Sequence, residues 1–362
     1  MIRFLVFILG SFFLAFLWAP LLIGFLYKFN VRRRSKEELD EKMENHAQKT
    51  GTPVMGGLLI VVTVLVLNLV FNRSPEITIL LLVLGIGAIL GGIDDLFNIF
   101  GHKRVSKAVR RGVTPIVTLS GFTWSIYNFL LLPWNAFKEA FRAMGSYRGG
   151  FKAHEKFLLQ CILAGLTAWW VYGELGQSSF WLPLLGKFDI GVIYPFLVVL
   201  LLVVYANAFS ITDGLDGLSG GTHSLAFLAF GVVASALGKP ELTWFCATLV
   251  GAELAFLYFN IFPARVEMSD VGTLPLGMVF ALVGVLLNRE FALPIIGGVF
   301  TLEILSSFTQ VWSVKLRGKR VFKIAPIHHH FEALGWPETK VTMRMWLAGA
   351  VLAVLGVLVA LL

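Results

Sequence analysis

Five aspartates stand beside glycines at three places in the chain: Asp94 and Asp95 in "GGIDDLFN", Asp213 and Asp216 in "ITDGLDGLSGG", and Asp270 in "EMSDVGTLPLG". Taken singly, an aspartate next to glycine at a helix end is a cap or a turn residue. Three such groups together point to shared chemistry. Carboxylates without cysteine suit Mg²⁺ or Mn²⁺, which are held by one or two carboxylates together with substrate phosphates. Glycines let backbone N–H groups approach a diphosphate closely. Phosphoryl transfer needs this combination, because its transition state asks mainly for positioning and charge neutralisation. Lys49 in "KTGTPVMGG" adds a cation beside another glycine-rich turn, although in isolation it is an ordinary basic-loop lysine. "APIHHHFEALGW" puts His328, His329 and His330 in one run. Adjacent histidines cannot easily converge on one metal, so this run favours phosphate or sugar contact over ligation.

The elements that must position these residues are membrane helices. The chain is 57% hydrophobic and 14% charged, with mean hydropathy +0.79, outside the range of soluble globular proteins. Ten apolar segments, 4–27, 55–72, 78–97, 157–173, 190–209, 218–237, 242–262, 272–288, 291–314 and 341–362, are each near the roughly 20 residues a bilayer core requires. They predict an all-α polytopic integral membrane protein of about ten transmembrane helices, a single domain over 1–362. Lys28 and Arg32 to Arg34 follow the first segment where a cleavage site would be small, so an uncleaved helix is expected. With the N-terminus outside, 25 of the 30 Lys and Arg fall on one side. That distribution explains the net charge of +8 without nucleic acid, sets both termini outside, and brings all five aspartates to the cytoplasmic face.

Three segments stand apart. The apolar stretch 113–134 lies between basic clusters, which predicts a membrane-dipping hairpin or interfacial helix within a basic cytoplasmic insertion, 99–150. The outside loop 174–190 reads as a short hairpin with Gly186 at its turn. Cys161 and Cys246 fall inside apolar segments and read as core residues. Glu253 and Glu303 are intramembrane acids; Glu303 is expected to hydrogen-bond within the bundle, and Glu253 to find a partner such as a Ser or Tyr or to face a groove.

"KTGTPVMGG", "GGIDD", "NAFSITDGLDGLSGG", "LYFNIFPARVEMSDVGTLPLG" and "KLRGKRVFKIAPIHHHFEALGWPE" follow one another as in the phospho-N-acetylmuramoyl-pentapeptide transferase family. That family is one of the polyprenyl-phosphate N-acetylhexosamine-1-phosphate transferases, and the resemblance covers nearly the whole chain apart from roughly 99–150. It implies transfer of phospho-MurNAc-pentapeptide from UDP-MurNAc-pentapeptide to undecaprenyl phosphate. Lipid I and UMP would be the products, with Mg²⁺ required, in a bacterial inner membrane and in a homodimer. It further implies catalytic roles for Asp94, Asp95 and Asp270, with Asp94 a base or a covalent nucleophile, and metal binding by Asp270 and Asp95. Lys49, Asn207, Asp213, Asp216, Asn260, His328, His329 and His330 would bind substrate. The chain departs from the family around the nucleoside. Asn98 stands for the usual lysine, Ser210 for asparagine, Val54 for threonine, Glu267 for an aromatic that would stack on uracil, and Ser269 for glycine.

A relative using another UDP-N-acetylhexosamine such as UDP-GlcNAc is the nearest alternative, opposed by the intact "APIHHHFE" segment. An ion-coupled transporter would explain Glu253 and Glu303, but transporter sites lie near the bilayer midplane and these aspartates lie at helix ends. A lipid-binding scaffold without activity is suggested by Asn98 alone.

Overall fold

The computed structural model describes residues 2–33, 51–100 and 153–362. Lys49 lies outside the described residues. So do the stretch 113–134 and most of the basic insertion, including Lys103, Arg104, Lys107, Arg110, Arg111 and Arg148, and Lys152 just beyond it.

Each of the ten apolar segments coincides with a helix. They are α1 (Ile2–Lys28), α2 (Leu58–Phe71), α3 (Pro75–Phe100), α4 (Ala153–Gly173), α5 (Tyr194–Thr212), α6 (Leu218–Ala236), α7 (Pro240–Asn260), α8 (Asp270–Leu286), the bent pair α9 (Leu293–Ile296) and α10 (Gly298–Arg317), and, after the short α11 (Ile327–Ala333), α12 (Glu338–Leu361). Six of them, α1, α3, α5, α6, α7 and α12, are long and apolar enough to cross a membrane, and the α9–α10 unit, bent by 82°, makes a seventh when counted as one span. The protein is an all-α polytopic membrane protein.

Two of the ten are too short to count alone. α2 has 14 residues and α8 has 17, against the roughly 20 a full crossing needs. For α8 the reason is its place: every residue from Val271 to Leu286 is buried, between α3 and α5, so it meets protein and not lipid. The outer helices show the opposite pattern. α1 exposes Leu5, Leu9, Phe13, Leu17 and Leu21, and α12 exposes Leu347, Val351, Val354 and Leu358, which are lipid-facing stripes.

Contacts knit the two ends of the bundle separately. At one end β1 (Ser179–Leu182) and β2 (Gly186–Asp189) pair antiparallel, Leu182 opposite Gly186. Arg289 stacks its guanidinium 4.1 Å over Trp181, and Lys187 Nζ donates to Asn288 Oδ1 at 3.2 Å, fastening this hairpin to the turn after α8. The other end gathers the aspartates.

Candidate active site

Gly91 on α3 allows the central contact. A Cβ there would meet the Asp270 carbonyl oxygen at 2.1 Å, so only glycine lets α3 and the start of α8 touch. One turn further along α3, Asp95 reaches α8 and caps it: its carboxylate accepts the N–H of Asp270 at 3.3 Å and of Val271 at 2.9 Å. An anion at a helix N-terminus is favoured by the unpaired N–H groups and the macrodipole.

Asp94 and Asp270 converge on a residue that the sequence did not single out. Lys156, on the first turn of α4, places Nζ 2.5 Å from Asp270 Oδ2 and 3.5 Å from Asp94 Oδ2. Asp94 is 5% exposed, so its charge is costly without a partner, and the ammonium supplies one. One turn after Lys156, Gln160 accepts from Asn207 Nδ2 at 2.7 Å, which ties α4 to α5 and puts Asn207 at the same site.

The loop after α5 forms the adjoining wall. Asp213 accepts Ser219 Oγ–H at 2.5 Å and the Ser269 N–H at 3.1 Å, and Asp216 accepts the Ala264 N–H at 3.0 Å. Asn260 bridges the same two loops, accepting the Gly217 N–H at 3.1 Å and donating to the Val266 carbonyl at 2.9 Å. Burial raises the Asp213 carboxyl above its ordinary value, against the lowering effect of those hydrogen bonds. α12 supports the wall from behind: Glu338 accepts the Asp216 N–H at 2.6 Å, and Trp346 Nε1–H donates to Gly217 O at 3.0 Å. Glu338 closes the "KLRGKRVFKIAPIHHHFEALGWPE" stretch without having been given a role, and Trp346 carries no local motif, so nothing in the sequence marks it.

The histidine run divides by environment. His328 is fully buried and its Nδ1 lies 2.9 Å from Glu303 Oε2, so the intramembrane acid of α10 does hydrogen-bond within the bundle. His329 Nδ1 lies 2.7 Å from Glu332, and burial holds this imidazole below its ordinary value although Glu332 opposes that. His330 Nδ1 accepts the Lys323 N–H at 3.2 Å. Glu253 has His223 of α6 as its neighbour, 3.3 Å away, and both are fully buried.

Two departures from the family pattern have visible compensation. Glu267 pairs with Arg33 at 3.0 Å, so the carboxylate brings its own counter-charge to the loop. Ser269 has φ 61° and ψ 179°, a conformation nearly confined to glycine, and its Oγ accepts the Met55 N–H at 3.2 Å. Ser210 Oγ lies 2.9 Å from Thr273 Oγ1.

Among the described residues no group of three or more His, Cys, Asp or Glu is arranged to hold a metal by itself. A two-carboxylate site completed by substrate phosphates does fit. Asp94 and Asp270 aim oxygens at one point, and an ammonium stands there, where a cation is wanted. Asp95 fits less well than the sequence suggested, since both its oxygens already accept N–H groups of α8.

Residues 148–288 match the glycosyl transferase family 4 model. The chain is 34% identical over 355 residues to a phospho-N-acetylmuramoyl-pentapeptide-transferase of Bacillus licheniformis, covering 97% of this chain and 95% of the relative. The Bacillus subtilis protein of the same name is 34% identical over 356 residues, with the same coverage. That of Bacillus thuringiensis is 35% identical over 347 residues, covering 94% of this chain and 92% of the relative. Similarity of this extent, over nearly the whole length of both chains, makes the chain a transferase belonging to the phospho-N-acetylmuramoyl-pentapeptide-transferase family.

Proposed function

We propose that this protein transfers phospho-MurNAc-pentapeptide from UDP-MurNAc-pentapeptide to undecaprenyl phosphate, giving lipid I and UMP for peptidoglycan synthesis. The reaction takes place at the cytoplasmic face of a bacterial inner membrane, the face carrying most of the Lys and Arg. The observation that carries the reading is the convergence of Asp94, Asp270 and Lys156 at adjoining helix ends, where a lipid phosphate and a soluble nucleotide can meet.

Asp94 and Asp270 would hold Mg²⁺, which supplies charge neutralisation to the diphosphate when bound. Lys156 offers a second positive charge to the phosphoryl oxygens, and the two aspartates orient it. The acceptor is a phosphate monoester with second pKa near 6, largely dianionic at pH 7, so a base adds little and positioning dominates. Asp95 sets the start of α8, and Asp213, Asp216 and Asn260 hold the loops against each other so that glycine backbone faces the diphosphate.

The test is UMP release in detergent with undecaprenyl phosphate, Mg²⁺ and either UDP-MurNAc-pentapeptide or UDP-GlcNAc. Release from the first donor is expected. Release only from UDP-GlcNAc would make the protein a transferase for another hexosamine, and no release from either would remove the reading altogether.

A further inference from the structure

Glu303 lies in the apolar body of the bundle, distant in sequence from every aspartate of the site, and the proposed chemistry gives it no task. Its one side-chain partner is His328 Nδ1, at 2.9 Å, and both side chains are fully buried. The other ring nitrogen, His328 Nε2, is also buried and has no hydrogen-bond partner among the described residues. It packs against Gly214, where a Cβ would lie 2.3 Å from Nε2, so this glycine is what allows the ring to reach the loop between Asp213 and Asp216.

Charge limits where the protons of this pair can sit. A buried pair with a net charge pays heavily for desolvation, and no Lys or Arg contacts this one among the described residues. A net-neutral carboxyl–imidazole pair carries two protons. One is shared between Glu303 Oε2 and His328 Nδ1, on whichever side it rests. The second is on Nε2 or on Glu303 Oε1, which is likewise buried without a partner among the described residues; on Nε2 it makes the ring an N–H donor toward the loop between Asp213 and Asp216. The nearby carboxylates are already engaged, Asp213 by Ser219 and Ser269, and Asp216 by Ala264. An unpaired buried N–H is rare in folded proteins and calls for an acceptor that arrives from outside.

We propose that Glu303 is a positioning residue that holds His328 as an Nε2–H donor for a phosphoryl oxygen of the nucleotide's diphosphate. The inference rests on the transferase reading of the site and adds to it the role of Glu303 and the protonation of His328. An anionic oxygen is the acceptor that gains most, because charge-assisted hydrogen bonds are about twice as strong as neutral ones. It also offsets the repulsion a diphosphate meets from Asp213 and Asp216.

The experiment uses the full-length protein in detergent with ¹⁵N-labelled histidine and Mg²⁺, the His328 signals being assigned by their loss in His328→Asn. Nε2 is expected to be protonated, and its N–H resonance to move on adding UDP but not on adding uridine, which lacks phosphate. In Glu303→Leu, and in Glu303→Gln, which preserves the volume should the leucine variant not fold, UDP affinity should follow the ring proton. It falls about tenfold as Nε2 loses its proton, and an Nε2 that stays protonated with affinity retained in both variants would overturn the role of Glu303. The KM for undecaprenyl phosphate should change less than about twofold. A bare Nε2 in the unaltered protein, a response to uridine equal to that for UDP, or undiminished UDP affinity with a bare Nε2 would each overturn the proposal. The resonance and the UDP titration do not depend on turnover, so they read the pair even where UMP release fails.

Discussion

Lys156 is the residue on which the charge balance of the site turns. Removing it leaves Asp94 and Asp270 facing each other without a cation, and removing either acid leaves the ammonium misdirected. Lys156→Met and Asp270→Asn should each lower kcat for UMP release by about 10²- to 10³-fold, the usual cost of one preorganised charge-stabilising group. The KM for the nucleotide should move much less. An effect on KM alone would demote Lys156 to a binding residue. His329 gives a pH signature at the same scale. Burial lowers its folded value, while the unfolded chain takes up a proton near pH 6.5. Its contribution to stability is therefore present above about pH 6.5 and is lost as pH falls through the lower folded value. His329→Gln should flatten the fall of Tm with acidification, as read by tryptophan fluorescence in detergent. The aspartates were legible because Asp beside Gly at the end of an apolar run is a local pattern. Lys156 was not, because its meaning lies in a contact across 62 residues with Asp94 and 114 with Asp270.

Elements carry what single residues do not reveal. The ten apolar runs showed where helices lie, since each is a continuous stretch of lipid-like residues. They did not show that α8 is sheathed by protein, because an apolar run reads the same against lipid and against other helices. Partners inside the bundle were hidden for the same reason. Glu253 of α7 and His223 of α6 each look like isolated polar residues in apolar helices, and only packing makes them neighbours at 3.3 Å. The ring of His223 also stacks on Phe209 of α5, with centroids 4.2 Å apart, so the pair joins three helices beneath the Asp213 loop. Neither side chain has a hydrogen-bond partner among the described residues, so their mutual approach is all that offsets burial. His223→Leu or Glu253→Leu alone should destabilise the protein by about 1 kcal/mol, whereas the double leucine variant, which removes both unsatisfied groups, should be at least as stable as the unaltered protein. Thermal unfolding of the two single variants and the double variant checks this; additive losses would show that the two residues act independently. Gly91→Ala tests the crossing of α3 and α8. Its new Cβ must push the Asp270 carbonyl away, so activity should fall with Asp270 itself intact.

At the scale of the whole molecule, charge decides orientation where helix packing does not. Asp213, Asp270, His328 and Arg33 belong to one end of the bundle, and the hairpin, Asn288 and Lys187 to the other, through the contacts that knit each end. Among the described residues Lys28, Arg32, Arg33, Lys156 and Arg265 flank the site's end, and the sequence predicts 25 of the 30 Lys and Arg on that side, where loops rich in these residues stay cytoplasmic. The nucleotide is soluble and the acceptor is a lipid, so a site at helix ends on that side gives each substrate its own approach. Orientation is therefore a functional claim. Cys161 is half-buried and Cys246 buried, and replacing both with alanine leaves a background for single cysteines. Leu184→Cys in the hairpin turn and Leu334→Cys after α11 replace side chains that are 80% and 47% exposed. A membrane-impermeant maleimide added to intact spheroplasts should label position 184 and spare 334, and inverted vesicles should reverse the pattern. Cysteines at 103 and 148 should label with 334, because a single crossing between them would put one basic cluster outside and invert every later loop. Opposite labelling of those two would remove the cytoplasmic assignment of the segment, and labelling of 334 from outside would place the aspartates where no nucleotide sugar is available.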